Sequence, residues 1–551
     1  MRFNRKVVKK HILTVVFILG IANHGLSQEK KLDLGELRGN FQLDAQYYNR
    51  DSLIGAPPVP EKMRAAGFAN LLYRRGKFSS GIRYEAYQYP LLGFDQRYRG
   101  EGIPYRYVTY TDENFEITAG NFYEQFGSGM ILRTYEERGL GYDNVFDGFR
   151  VKIQPYQGIY LKGLIGKQRL FFSLGDGIVR GADAEISLNE LLDSLMLTSK
   201  LQVRFGGSFV SKYQKDEDPV YILPENVGAW ASRLSLAYGN FTMDAEYMYK
   251  DNDPSTVNNF IYKSGEGLLL TLNYARSGLG VSLSAKRTDN LNFRSNRTET
   301  GNNLMINYLP ALTKQHSYTL AATIYPYASQ PNGEMAFQSE ITYKFKKETA
   351  LGGKYGMDLT LNASLVHGID TSKIIPFIGY ESPFFKVGKR KFFHDFNIEL
   401  TKRLSEKFKV NLNYLNFYYD KDVIQGLSGY GVVHAHIGIM ELQYKIKPKH
   451  TLRTELQMLY TKQDEGSWAM ALLEYTISPK WFFALMDQYN YGNPVEKKRI
   501  HYFFGSLGRN FGNNRLILSY GRQRAGIFCV GGVCRNVPAS NGFTFTVISN
   551  F

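Results

Sequence analysis

The residues of this chain whose types and spacing could do chemistry fall in three places. Its only two cysteines, Cys529 and Cys534, lie in the ending "GIFCVGGVCRNVPASNGFTFTVISNF". Residues 120–150, "GNFYEQFGSGMILRTYEERGLGYDNVFDGFR", gather Glu124, Glu136, Glu137, Asp143 and Asp147 with Arg133, Arg138 and Arg150, among six glycines. The run "VVHAHIGIM" holds His434 and His436. The cysteines could form a metal clip, a redox pair or a structural staple. Paired carboxylates could do general acid/base work, and two imidazoles on one strand face could share a metal. Each reading meets an obstacle. A redox C-x-x-C has a different spacing, and a zinc site needs three or four ligands. The Gly-x-Gly steps at 127–129 and 139–141 lack the strand–helix context of a nucleotide site. No G-x-S-x-G, H-E-x-x-H or phosphate loop is present. The expectation is a protein that is not an enzyme and holds no cofactor or metal. Residues 120–150 then form an irregular loop, folded inward, whose acids and arginines pair with one another.

What the cysteines do depends on the compartment, and the start of the chain bears on that. Residues 1–10 carry Arg2, Arg5, Lys6, Lys9 and Lys10 without an acid, and the apolar run "ILTVVFILGIA" follows. A basic segment, a short apolar segment and small residues at Gly25 and Ser27 read as a signal peptide over 1–27, cleaved before Gln28. The apolar run is shorter than the ~20 residues that span a bilayer. Formal charge is +16, and removal of that segment leaves +11. The positive residues are scattered rather than clustered, so the chain lacks the basic patch by which nucleic acid is bound.

The elements that must position these residues show in the alternation of apolar and polar positions. In "FTMDAEYMYK", Phe241, Met243, Ala245, Tyr247 and Tyr249 oppose Thr242, Asp244, Glu246, Met248 and Lys250. "TLRTELQMLY", "EMAFQSEITYKF", "YGMDLTLNASL", "FKVNLNYLNF" and "GNFQLDAQYY" follow the same period of two, the signature of half-buried strands. With 40 Tyr, 37 Phe and 53 Gly but a mean hydropathy of −0.32, the composition suits strands that face lipid on one side and water on the other. Tight turns at "YGNF" (238–241), "RSGL" (276–279) and "FGNN" (511–514) alternate with longer polar stretches at 50–63, 212–228, 251–265, 367–389 and 490–497. Short turns at one end and long loops at the other are the asymmetry of outer-membrane barrels. The expectation is all-β: one large antiparallel transmembrane β-barrel of about 22–26 strands, even in number, over 39–551, after a short lead at 28–38. On such strands His434 and His436 should be solvated residues of the lumen.

The last nine residues, "FTFTVISNF", put Phe543, Phe545, Val547 and the terminal Phe551 on one face. This resembles the C-terminal strand of bacterial outer-membrane proteins, which the barrel assembly machinery reads. At "AGNFYEQFGSGMILR", "VKIQPYQGIYLKGLIGKQR" and "RAGIFCVGGVCRNVPASNG" the mature chain resembles a family of Bacteroidota outer-membrane barrel proteins. That resemblance brings no catalytic residues. It implies an integral outer-membrane protein in contact with outer-membrane lipid, with both chain ends on the periplasmic side. By analogy with barrels of that phylum it also implies partners among other outer-membrane or periplasmic proteins. The plug domain of a TonB-dependent receptor has no room, because alternation begins near Gly39.

A barrel of this size has a lumen that needs plugging. The chain's own loops at 120–150 and 367–389, or a partner, should fill it. The function expected is a non-enzymatic barrel subunit of an outer-membrane assembly, secretion or transport complex. A loop-constricted diffusion channel for small polar solutes is the alternative. The segment between "NRLILSYGRQRAG" and the last strand becomes an outer loop in an oxidising compartment, where paired cysteines form disulfides. "CVGGVC" can reverse at Gly531-Gly532, so Cys529 and Cys534 are expected to be bonded to each other.

Overall fold

The computed structural model describes residues 34–192, 199–530 and 533–551. The expected signal peptide, 1–27, and most of the expected lead, 28–38, fall outside the described residues. Twenty-four strands form one antiparallel sheet, within the range expected. Each strand pairs with its neighbour in the chain, and the first (Glu36–Asn49) pairs with the last (Ser540–Asn550), from Asn40 opposite Asn550 to Asn49 opposite Asn541. That seam closes the sheet into a barrel and leaves no free edge, the condition for crossing hydrocarbon with strands.

Most connections at the end of the barrel that carries both chain ends are short turns. Residues 76–77, 157–158, 239–240, 277–278 and 512–513 each join two strands there. Gly239 has a φ of +57° and Gly512 of +55°, with open space around both. The left-handed conformation of the turn, rather than crowding, therefore calls for glycine. The opposite end carries the long connections, among them 123–145, 290–332, 370–386 and 524–539. One connection at that end is short: residues 171–172 turn directly between Ile159–Leu170 and Ser173–Ser187.

The faces follow the period of two. On Phe241–Lys250, Phe241 and Tyr247 are exposed on the outer wall while Glu246, Met248 and Lys250 are buried inside. On the last strand Phe543, Phe545 and Phe551 are exposed outside. Phe551 exchanges main-chain hydrogen bonds with Gly39, of 2.8 and 2.9 Å, and its ring lies where a Cβ on Gly39 would be. Removing Phe551 deletes both bonds at the closing seam and should cost about 1–3 kcal/mol. Gly39→Ala, which only displaces the ring, should cost less. Unfolding midpoints in urea, with the folded fraction read from heat-modifiable gel mobility, check this ordering.

The core lies in the lumen, not between layers. Segments 123–145 and 290–332 fold inward. Phe126, Met130, Ile131, Phe293 and Ile306 pack against Val179, Val210, Ala229 and Met248 of the inner wall. Farther round, Leu312, Leu320, Ile324 and Tyr325 pack against Val366, Phe393, Phe417, Val433, Ala435 and Ile437.

Two expectations are corrected here. The stretch 367–389 does not fill the lumen: its hairpin, Ser372–Ile375 with Gly379–Glu381, turns outward over the wall, and 290–332 takes the luminal place instead. His434 and His436 are exposed on the outer wall, and their neighbours Val433, Ala435 and Ile437 are the residues that face in. The rule of polar inside and apolar outside reverses there, because the inner wall meets an apolar plug and not water.

Candidate functional site: the stoppered lumen

The structure brings the acid–arginine cluster of 120–150 together, and it adds partners from the wall that spacing alone could not supply. Glu136 and Asp143 meet Arg83 of Phe78–Tyr89 at 2.8 and 2.6 Å. Arg169 of Ile159–Leu170 grips both oxygens of Glu85 at 2.9 and 2.6 Å and reaches Asp143 at 2.7 Å. Arg138 adds a 2.8 Å contact to Glu136. Tyr123 donates to Asp143 at 2.9 Å. Glu85, Glu136 and Asp143 lie close enough to hold a metal ion. Three arginines already balance their three charges, however, and their oxygens accept from guanidinium groups. The cluster is a latch that joins the luminal segment to the wall.

A second cluster pins the start of the same segment. Glu124 lies among Arg150, Lys152 and Lys162 at 3.2–3.3 Å, and Arg150 also meets Glu116 at 2.6 Å. Burial raises the Glu124 carboxyl, but the charges of Lys162 and Lys152, the Gln125 amide and Arg150 more than reverse this, so it titrates below its ordinary value. A depressed carboxylate contributes stability above its unfolded pKa and loses it as pH falls through the folded value. The 123–145 segment should therefore become protease-sensitive in acid before the wall unfolds, and Glu124→Gln should remove that acid dependence. Limited proteolysis across a pH series checks both.

The remaining residues of the cluster take other roles. Asp147 pairs with Arg106 at 3.0 Å. The Glu137 carboxylate caps Gly139 by accepting from its amide. Arg133 has its guanidinium over the rings of Tyr135 and Tyr308, 4.8 and 4.2 Å away.

The larger luminal segment, 290–332, had no marker in the sequence beyond its length and weak alternation. It is hydrogen-bonded to the first. The Arg133 amide donates to the Ile306 carbonyl at 2.9 Å, and the Tyr308 amide to the Gly129 carbonyl at 3.0 Å. The Asn307 side chain bridges the carbonyls of Met130 and Leu291. Fully buried Lys286 and Glu334, 2.6 Å apart, hold its base. The only way to read such anchors is across strands, since Lys286 and Glu334 are 48 residues apart in sequence.

Between the segments and the chain-end turns lies a polar vestibule of about 310 Å³. Gly127 and Ser128 form its floor, and Glu185, Arg204, Arg233, Asp244 and Glu246 line its wall. Its charges are partly spent on one another: Arg204 meets Glu185 at 3.2 Å and Arg233 meets Asp183 at 2.6 Å. Glu246 accepts from the Ser128 amide at 2.8 Å, which ties wall to floor.

The cysteine hairpin sits over the far end of both segments. It pairs Gly526–Val530 with Val533–Val537 and sets Cys529 directly opposite Cys534, and among the described residues no cysteine is free. The Asn302 side chain donates to the Cys534 carbonyl at 2.7 Å. Arg535 donates to the Gly139 carbonyl at 2.9 Å. Intact mass after alkylation should show no added label without reductant and two labels with it. Cys529→Ser should cost little stability, because the closed loop is short.

The histidines fall on the outer rim with tyrosines rather than in a ligand set. His436 meets the Tyr414 hydroxyl at 2.8 Å, His434 lies edge-on to Tyr418, and His367 and His394 have their Nε2 atoms 3.1 Å apart.

Solved structures to which this chain is similar include the P pilus usher (PapC) translocation pore, at 9% identity and a TM-score of 0.43 over 94% of this chain and 99% of that one. The siderophore receptor PirA from Pseudomonas aeruginosa matches at 10% identity and a TM-score of 0.40, over 94% and 81%. OccK8 (OprE) from Pseudomonas aeruginosa matches at 10% and 0.32, over 82% and 98%. Each is a distant likeness and carries no argument about this chain. No curated protein matches the sequence. The profile of DUF6029, a family of unknown function, matches residues 8–551, and the chain belongs to that family.

Proposed function

We propose that this protein is an integral outer-membrane barrel, with its chain ends on the periplasmic side, that works as a non-enzymatic subunit of a multi-protein envelope complex. The observation that carries this reading is the stopper. Segments 123–145 and 290–332 have an apolar core of their own with the inner wall, and Glu124, Glu136 and Asp143 are paired with basic residues of the wall. An open barrel of this width would breach the permeability barrier; a closed one is suited to scaffold or anchor partners. The outer wall, with exposed residues such as Leu485, Phe483, Phe503 and Leu518, meets the requirement for an apolar band.

One observation favours the alternative, a loop-constricted channel for small polar solutes: the charged vestibule, which Gly127 and Ser128 close off on one side. Purification in mild detergent followed by planar-bilayer recording separates the two. Stoichiometric partners and silence in the bilayer are expected. A lone barrel with steady, ion-selective steps would overturn the complex-subunit reading in favour of the channel.

A further inference from the structure

The rim of the outer wall at the loop end carries aromatic side chains in one row. Phe209, Trp230 and Tyr249 stand side by side on adjacent strands, with ring centroids 6.4 and 5.3 Å apart. An aromatic belt of this kind marks the headgroup level of a membrane. The row then breaks. On the next two strands its outward positions are Glu266 and Asp289, with Arg287 one step deeper beside Leu268. At this level a charged group costs little, but the three leave a gap in the aromatic row.

The hairpin of 370–386 covers this gap. Tyr380 donates to Asp289 at 2.6 Å, Arg287 donates to the Ser382 hydroxyl at 2.9 Å and lies under the Phe384 ring, and Phe384 also meets Tyr247. Arg287 and Asp289 are fully buried as a result. The loop thus replaces the missing belt residues, which places it at headgroup depth. Its other side stays apolar and uncovered: Ile374, Ile378 and Phe385 are 63–83% exposed. Loop 214–225 extends the same surface, through Tyr221 against Phe377 and the bond from the Tyr262 hydroxyl to the Ile222 carbonyl.

Charge complements this apolar ledge. Residues 370–391 hold five basic residues and two acids. Lys373, Lys386 and Arg390 are engaged by Glu381, Asp370 and Asp420. Lys389 and Lys391 stand exposed beside them, without a carboxylate partner among the described residues and with Lys391 5.9 Å from the Tyr418 ring centroid. Apolar side chains flanked by lysines fit the boundary between acyl chains and anionic headgroups.

We propose that this ledge is a lipid-binding site, in which Ile374, Ile378 and Phe385 enter the leaflet and Lys389 and Lys391 take the phosphates of anionic headgroups. The inference rests on the barrel's spanning the membrane, and the test separates the two. Spin labels are placed by Ile378→Cys, Phe385→Cys and, on the wall, Leu485→Cys. The full-length protein is reconstituted in vesicles of phosphatidylcholine, with or without phosphatidylglycerol. Collision with oxygen and with a water-soluble nickel complex then reports depth.

The ledge labels should shift toward oxygen, more so with phosphatidylglycerol, and Lys389→Gln with Lys391→Gln should abolish that difference while inorganic phosphate does not. Ledge labels in water, with the Leu485 label in lipid, would overturn the proposal and leave the ledge to a soluble partner. Burial without dependence on phosphatidylglycerol, or reversal by inorganic phosphate alone, would overturn the headgroup assignment. A Leu485 label in water would refute the spanning barrel itself.

Discussion

A barrel from which residues 292–330 have been excised should conduct ions where the intact protein does not. Asp289 and Gly333 are directly paired across adjacent strands, so a short glycine-rich turn in place of the segment leaves the wall's hydrogen bonds intact. What disappears is half of the stopper: Phe293, Ile306, Leu312, Leu320 and Ile324 leave, and water reaches Val433, Ala435 and Ile437. The expected record is large, stable steps in a planar bilayer, together with sensitivity of expressing cells to a bulky hydrophilic antibiotic. Heat-modifiable mobility should persist, since a closed barrel does not need its plug to pair its strands. If the excised barrel folds and stays silent, 290–332 is not what closes the lumen.

Arg169→Ala should be the most damaging single substitution in the latch. The guanidinium it removes is 3% exposed and serves Glu85, which is 1% exposed, and Asp143. Removing one partner of a buried ion pair leaves an uncompensated charge and costs about 3–5 kcal/mol. The loss should appear as a lowered thermal midpoint and as early cleavage within 123–145, because the latch joins that segment to the wall. Replacing the pair by apolar residues of similar size, Arg169→Met with Glu85→Leu, should recover much of the loss, as it removes the buried charge together with its partner. Equal damage from the single and double variants would show that the network stabilises by packing and not by charge.

How far the sequence carries can be read from particular residues. Phe241, Tyr247, Glu246 and Lys250 went to the faces their period of two assigned, and so did Leu456 and Met458 against Glu455 and Gln457. The pairing of Glu136 and Asp143 with arginines was foreseeable in kind. Its partners Arg83 and Arg169 were not, as they lie on strands that only the closed sheet brings alongside. His434 and His436 were misplaced for a related reason: alternation tells which residues share a face and says nothing of which face meets lipid. Where both sides of a strand carry apolar residues, as in "VVHAHIGIM", the answer depends on what fills the lumen at that height.

The sequence by itself determined the architecture, since a side-chain period of two, tight glycine turns and an aromatic last strand are local properties of the chain. Strand number within a narrow range and the likeness to outer-membrane barrels followed from the same local signals. Only the tertiary structure decided which segments occupy the lumen. Two irregular segments, 123–145 and 290–332, have no period to announce them. They become a stopper because barrel closure sets Arg83, Arg169, Lys286 and the apolar inner wall around them. It decided the fate of 370–386 as well, sending outward a loop that length and polarity alone had suggested for the inside. The physical reason is that Arg287 and Asp289 interrupt the outward aromatic row, and Tyr380, Ser382 and Phe384 of the loop satisfy them there.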